Sequence, residues 1–456
     1  LSCTEKIIFA KKTAPFAVAH SRGGKSGNPA GTKSVIVRND ADGIEGQIKK
    51  QNRLLVMPLE TILPTTRREA IDRLKEFLPH ADRYAKRRGF VFSGHTNASR
   101  LSPATRTRLL LETEICDAAR VVHPPSAIEK FEQEVWWRIY WKGWLEMRPS
   151  TWSAYRSDLE QIEWTDRALE VAAGKSGVAI IDHFTKELIE TGYLANHARM
   201  WWASFWIHAE KLPWQLGADF FLRHLWDGDA ASNTLSWRWV AGLHTKGKAY
   251  LVRRSNLETY VQDDLLKAHS AGLNKLENIT ALDATFSPHP EPIPVEESPL
   301  PACPGRVGIW IHDEDLLVEI SPLDALSPSA IFAPRPISRW RDEGYSHAKM
   351  SFLTDALNDG CQRASRHFGI EVEQVESEDL VQTMVEWAER NDIETIFTMR
   401  PFVGVLAESW EKMEDKLRKK NVELVSLRRS KDVMAMNRAT AGFFGFWKKT
   451  GILREG

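Results

Sequence analysis

Apolar residues recur at helical spacing through the first half of the chain and at strand spacing only in the second. From Thr66 the run TRREAIDRLKEFLPHADRYAKRR sets Ile71, Leu74, Phe77 and Leu78 on one face, which predicts a helix. IEKFEQEVWWRIYWKGWLEM, IIDHFTKELIETGYL and NHARMWWASFWIHAEKL read the same way, and little of residues 66–270 alternates as a strand should. The pattern then breaks at SPHPEPIPVEESPLPACPG (287–305), too rich in proline for helix or sheet. Beyond it lie short β-rich runs, RVGIWI, AIFAP, IEVEQVE, ETIFTM and VELVSL, with helical stretches between the last four. Strands alternating with helices predict a doubly wound, mostly parallel sheet. The expected organisation is a disordered leader over 1–50, an all-helical domain over 51–283, a linker over 284–305 and an α/β domain over 306–456.

Composition narrows the class. At 456 residues, with 43% hydrophobic and 27% charged positions, there is room for two soluble domains, each burying its own core. No apolar run approaches the ~20 residues a membrane span needs. Cys3, Cys116, Cys303 and Cys361 are scattered without metal-ligand spacing, so neither a disulfide framework nor a bound metal is expected, and a reducing cytoplasmic setting is. A monomer is expected. Charge is uneven: residues 291–456 carry 21 Lys+Arg against 28 Asp+Glu, while 1–290 carry 40 against 33. The first part is the better candidate for meeting phosphate backbones. Thirteen of the 18 tryptophans fall between Trp136 and Trp239, which by itself implies no more than a large aromatic core.

Polar chemistry concentrates between Thr191 and Trp239. NHARM supplies Asn196, Arg199 and Met200; DGDAASN supplies Asp227, Asp229 and Asn233; Trp214, Trp237 and Trp239 stand at fixed offsets. An amide, a cation and two carboxylates suit a polar, planar cofactor, and tryptophans can carry electrons. This spacing resembles the flavin-binding helical domain of the DNA photolyase and cryptochrome family, closest to the branch that repairs cyclobutane pyrimidine dimers. In the second half SHAKMSFLTDAL resembles a helix of the family's α/β domain, and RATAGFFGFWKKT resembles that domain's exit segment. Family members place the α/β domain first, so the chain looks circularly permuted. A ~20-residue linker reaches roughly 60 Å when extended, enough for either order. After YLVRRSN (250–256) no counterpart of the family's closing helices is legible.

The resemblance implies FAD as cofactor and UV-damaged DNA as partner, with light-driven electron transfer opening the dimer; a photoreceptor that binds FAD without repair is the alternative. FAD contacts would come from Tyr84, from Ser99, Arg100, Leu101 and Ser102 in the loop NASRLSP, and from Phe131, Glu134, Asn196, Arg199, Asp227, Asp229 and Asn233. Ala98 stands where the family usually has a hydroxyl. In FEQEVWWRIYW, Glu134 would bond the dimer, with Trp137 as an apolar wall and Arg138 beside it; Met200 and Trp239 would complete the pocket, and Arg88 and Arg253 would meet DNA phosphates. Glu134 and Arg138 at i, i+4 would otherwise be an ordinary intrahelical pair. Trp237, Trp214 and Trp164 would form the photoreduction chain. His197 replaces a common arginine. No motif in the α/β half identifies a second, antenna chromophore.

Overall fold

The computed structural model describes residues 63–245, 248–283, 287–301 and 305–455, so the leader expected over 1–50 lies outside the described residues. The chain divides into Leu1–Val56 and Met57–Gly456, and every described residue belongs to the second of these units.

Helices form where the periodicity placed them. Thr66 caps Arg67–Phe77, its hydroxyl accepting from Glu69 N while the Glu69 carboxylate reaches back to the cap. This reciprocal box satisfies donors the helix leaves unpaired. Pro125–Glu146 is the longest helix of the first half at 22 residues, started by proline at a position where a missing N–H costs nothing. Its buried side includes Phe131, Trp136, Tyr140, Trp141 and Trp144. Ala179–Thr191 ends on Gly192, left-handed at φ 67°, where a Cβ would come within 2.1 Å of the Trp226 ring. Only glycine serves both demands. NHARMWWASFWIHA divides into α-helix Asn196–Ser204 and a π-helical turn, Phe205–Ala209. Where no closing helices were legible, two short ones occur, Arg254–Tyr260 and Asp263–Ala268. They are tied back at Val91, whose N–H donates to Tyr260 O at 2.8 Å and whose carbonyl accepts from Gln262 N at 3.0 Å.

The five β-rich runs become β1 Val307–Trp310, β2 Ala330–Arg335, β3 Val372–Glu376, β4 Thr395–Met399 and β5 Glu423–Leu427. All pair in parallel, in the order β3-β2-β1-β4-β5, with Ile309 opposite Ile331 and Phe397. Central β1 and β4 are buried at every residue, as parallel strands covered on both faces must be. His347–Phe368, Leu380–Arg390 and Trp410–Arg418 are the crossover helices. The fold is thus a helical half followed by a doubly wound α/β half.

The two halves share a core. One apolar cluster joins Leu74, Phe77, Leu101 and Phe131 of the helices to Ile309, Ile331 and Phe397 of the sheet. Buried charges line the contact: Arg106 pairs with Asp313, and Arg108 with Asp315 and Asp432 at 3.2 and 2.5 Å. Residues 287–301 of the proline-rich segment have no regular structure but are held in place. Ile293 N donates to Met147 O at 2.9 Å, and Val295 exchanges two hydrogen bonds with the Asn437 side chain at 2.8 and 2.9 Å.

Gly143 lies where the long helix meets Ser430–Met436, and a Cβ there would stand 2.7 Å from Met436 Cα. Gly143→Ala should therefore cost about 1–3 kcal/mol by overpacking, read as a lower denaturation midpoint at unchanged slope.

Candidate functional site

A carboxylate shared by two arginines organises the polar cluster. Asp227, 3% exposed, accepts from both guanidinium nitrogens of Arg199 at 3.0 Å each. Arg138 approaches from the long helix, 3.9 Å from the same carboxylate, and pairs with Asp229. Burial alone would raise the Asp227 pKa; Arg199, Arg138 and a hydrogen bond from Ser102 outweigh it and hold the group below the usual carboxylate range. Asp229 also caps Ala230–Val240, its second oxygen accepting from Ser232 N at 2.7 Å. The Glu134–Arg138 pair that helical spacing allowed does not form: Glu134 pairs with Arg88 instead, leaving Arg138 to the aspartates.

The loop before Pro103 reaches the same place. Arg100 is buried in a left-handed backbone conformation, φ 56°, rare for a residue with a Cβ. Leu101 is buried, and Ser99 and Ser102 are half-buried. Tyr84 packs edge-on to Phe131 at 5.5 Å, and burial pushes its pKa up to about 12. Asn233 lies one turn beyond Asp229, and its Nδ2 donates to Ala218 O at 2.7 Å. Since only the amide nitrogen can donate, this bond fixes the amide and leaves Oδ1 to accept.

The rim is more open. Asn196 is exposed, Met200 is half-buried beside it (Nδ2 to Sδ 3.7 Å), and Arg253 is exposed. Trp239 stacks on Tyr250 at 5.7 Å. Trp137 lies face to face with Phe443 from the chain's last segment, centroids 3.9 Å apart and planes 9° apart. Trp237 is buried against Phe221 and Trp202, whereas Trp214 stacks on Tyr155 at 5.5 Å and Trp164 meets Trp206.

Sequence reasoning missed Tyr193 and Lys349. Tyr193 is buried beneath the Arg199 guanidinium at 5.5 Å; the only signal was its place in the run leading to NHARM. Lys349, fully buried, crosses from the α/β half to donate to Leu222 O, with Asp227 and Asp229 among the charges it senses. A lone lysine in the apolar stretch SHAKMSFL was its signal. Among the described residues no His/Cys/Asp/Glu group could hold a metal, and no helix is long and apolar enough to cross a membrane.

Residues 131–263 match the family model for the FAD-binding domain of DNA photolyase. Over these residues the chain is similar to the helical flavin-binding domain of that family. It is 30% identical to the deoxyribodipyrimidine photo-lyase of Streptomyces griseus over 43% of this chain and 46% of that protein. Identity is 33% to the one from Synechococcus, over 38% of each. The chain therefore spans less than half the length of these relatives. A class III photolyase structure from Agrobacterium tumefaciens superposes with a TM-score of 0.37 at 21% identity, covering 52% of this chain and 57% of that one.

The family implies FAD, and the cluster's chemistry fits it. Ser232 Oγ, next to Asn233, is buried with no protein partner. A buried hydroxyl is rarely left so. Asn233 Oδ1 is likewise left to accept. On the α/β side Asp229 borders a cavity of about 20 Å³ shared with Arg106, Lys142 and Phe402. That is room for about one water, whereas Asn196 on the rim is exposed.

Asp227→Asn leaves two arginines without their shared charge. Arg199 keeps 24% of its side chain exposed, so the loss should be about 1–3 kcal/mol rather than that of a fully buried pair, measured by urea denaturation. Lys349 predicts a pH dependence. Burial, with help from Arg106, lowers its pKa from 10.5 to about 7. Between those values the unfolded chain binds a proton the folded one lacks, so stability should rise with pH across the window. Lys349→Met should flatten that rise.

Proposed function

We propose that this chain binds FAD and uses light to split cyclobutane pyrimidine dimers in DNA. The observation that carries the reading is the buried Asp227–Arg199–Arg138 cluster, with Asp229 joined to it one helical turn before an oriented Asn233. A polar cofactor is one reason for a core to keep this many polar groups. The relatives named as deoxyribodipyrimidine photo-lyases support the same reading.

When bound, reduced FAD supplies the light-driven electron that opens the cyclobutane ring and takes it back afterwards. The chain's own part is positioning. Asn233 offers Oδ1 to a ring N–H; Asp227 stays ionised beside two arginines; Ser102 and the Arg100 loop stand ready for the phosphate-bearing portion. Exposed Arg253 would meet the DNA backbone, and each such contact adds about one unit to the salt slope of binding. Flipping a damaged pair out of the duplex costs less than flipping an intact one, which gives part of the selectivity. The helical half preceding the sheet is, on this reading, a permuted family order, with the residues around 287–305 as the connection.

Two contacts favour a photoreceptor that binds FAD without repair. Phe443 covers a face of Trp137, the wall a flipped dimer would lie against, and Arg88 already engages Glu134. Repair requires Phe443 to leave or the dimer to use another surface.

A thymine-dimer oligonucleotide mixed with chemically reduced, flavin-loaded protein tests the choice. Restoration of thymines under blue light and not in the dark is expected. A normal flavin spectrum with no repair, in the protein and in Phe443→Ala alike, would make it a photoreceptor.

A further inference from the structure

His95 carries no role in the site described so far, yet it ties two parts of that site together. It ends the turn Ser93–His95, where Gly94 (φ 72°) and His95 (φ 52°) are both left-handed. A histidine in that conformation is uncommon. The residue is buried, 7% exposed. Its Nε2 lies 2.6 Å from the Glu187 carboxylate on Ala179–Thr191. The ring packs edge-on to Tyr193, centroids 5.0 Å apart, and Tyr193 in turn lies beneath the Arg199 guanidinium. His95 Nδ1 is buried with no protein partner.

We propose that His95 is a phosphate-binding residue of the FAD site, held for that task by Glu187. The proposal rests on the reading that FAD binds at the Asp227–Arg199–Arg138 cluster. An ionised carboxylate only accepts, so Nε2 is the donor to Glu187 and Nδ1 is the nitrogen left over. A buried polar atom is rarely left without a partner, which points to a ligand. Tyr193 locates that ligand. Its hydroxyl feels the charges of Arg199, Asp227, Arg100 and Glu187 together, so the histidine, the Ser99–Ser102 loop and the arginine cluster converge on one place. Ala98 N donates to His95 O at 3.1 Å, which makes the histidine turn and that loop one piece of backbone. A guanidinium, two serine hydroxyls and a histidine on one loop suit an anion.

Protonated at both nitrogens, the ring donates to Glu187 through Nε2 and to a phosphate oxygen through Nδ1. Two anions then flank one cation, and both bonds are charge-assisted. The surroundings hold the ring still. Asn97 Nδ2 donates to Arg87 O at 2.7 Å and to Phe90 O at 2.8 Å, closing the loop that carries His95. A side chain fixed in advance adds affinity at little ordering cost when the ligand arrives. The contact serves the phosphate and not the flavin ring, so its effect separates from that of Asn233 and Asp229.

The test uses the full chain as His95→Asn and Glu187→Gln, stripped of flavin and titrated with FAD and with riboflavin, the same ring without phosphate. Asparagine tolerates a left-handed backbone, so His95→Asn should fold, read as an unchanged thermal midpoint. It should weaken FAD about tenfold, ~1.4 kcal/mol, and leave riboflavin within about twofold. Glu187→Gln keeps Nδ1 but loosens its anchor, and should lose FAD affinity with the same selectivity. In wild-type protein, nitrogen NMR of the histidine rings should show His95 Nδ1 protonated with FAD bound and not with riboflavin. This spectrum decides if a variant does not fold or riboflavin binds too weakly to measure. Equal losses of FAD and riboflavin, no loss of either, or an Nδ1 left bare with FAD bound overturns the phosphate role alone. Wild-type protein that binds neither flavin overturns the underlying reading, and this role with it.

Discussion

The Asp227 carboxylate is the constraint on which the site depends. It draws Arg199 from one helix and Arg138 from another to the loop that opens Ala230–Val240, and Ser102 adds the preceding loop. Buried charges contribute little net stability when paired but are costly when one partner is missing. The cluster therefore acts mainly to specify: any register shift among these helices strands an ion, and Asn233 and Trp237 are placed by the same helix that Asp229 caps.

The contact between halves follows the same logic on a larger scale. Arg106, Arg108 and Glu146 of the helical half find Asp313, Asp315, Asp432 and Arg428 on the α/β side, and Trp226 stacks on Phe352 at 5.0 Å. Asp315, between Arg429 and Arg108, is held down to about 2 against a burial effect that would raise it. Nothing in these contacts depends on which half comes first along the chain. That independence is what lets a connection at 287–301 serve, provided it is anchored, as it is at Val295 and Asn437.

Much of this was legible in the sequence. Long periodic segments and β-rich runs announced both halves, because burial on one face or on both faces leaves a periodic trace. Arg199 and Asp227 met as spacing and resemblance implied. What was not legible came from contacts between distant segments. Nothing local says that Glu134 will choose Arg88 over Arg138, that Phe443 will cover Trp137, or that Lys349 will reach Leu222. The His95–Glu187 pair escaped for the same reason. His95 reads as an ordinary loop residue until Glu187 is seen beside it.

The Phe443 contact also bears on how the protein is made. Tyr140 donates to Ala441 O across 301 residues of chain, and Phe446 and Trp447 pack on Trp136 beside it. During synthesis the aromatic face of the long helix must therefore wait, uncovered, until the 301 residues between Tyr140 and Ala441 have left the ribosome. Contacts of such sequence separation close late, and apolar surface left open meanwhile invites aggregation. The nascent helical half is thus an incomplete object whose last piece of surface arrives with the far end of the α/β half.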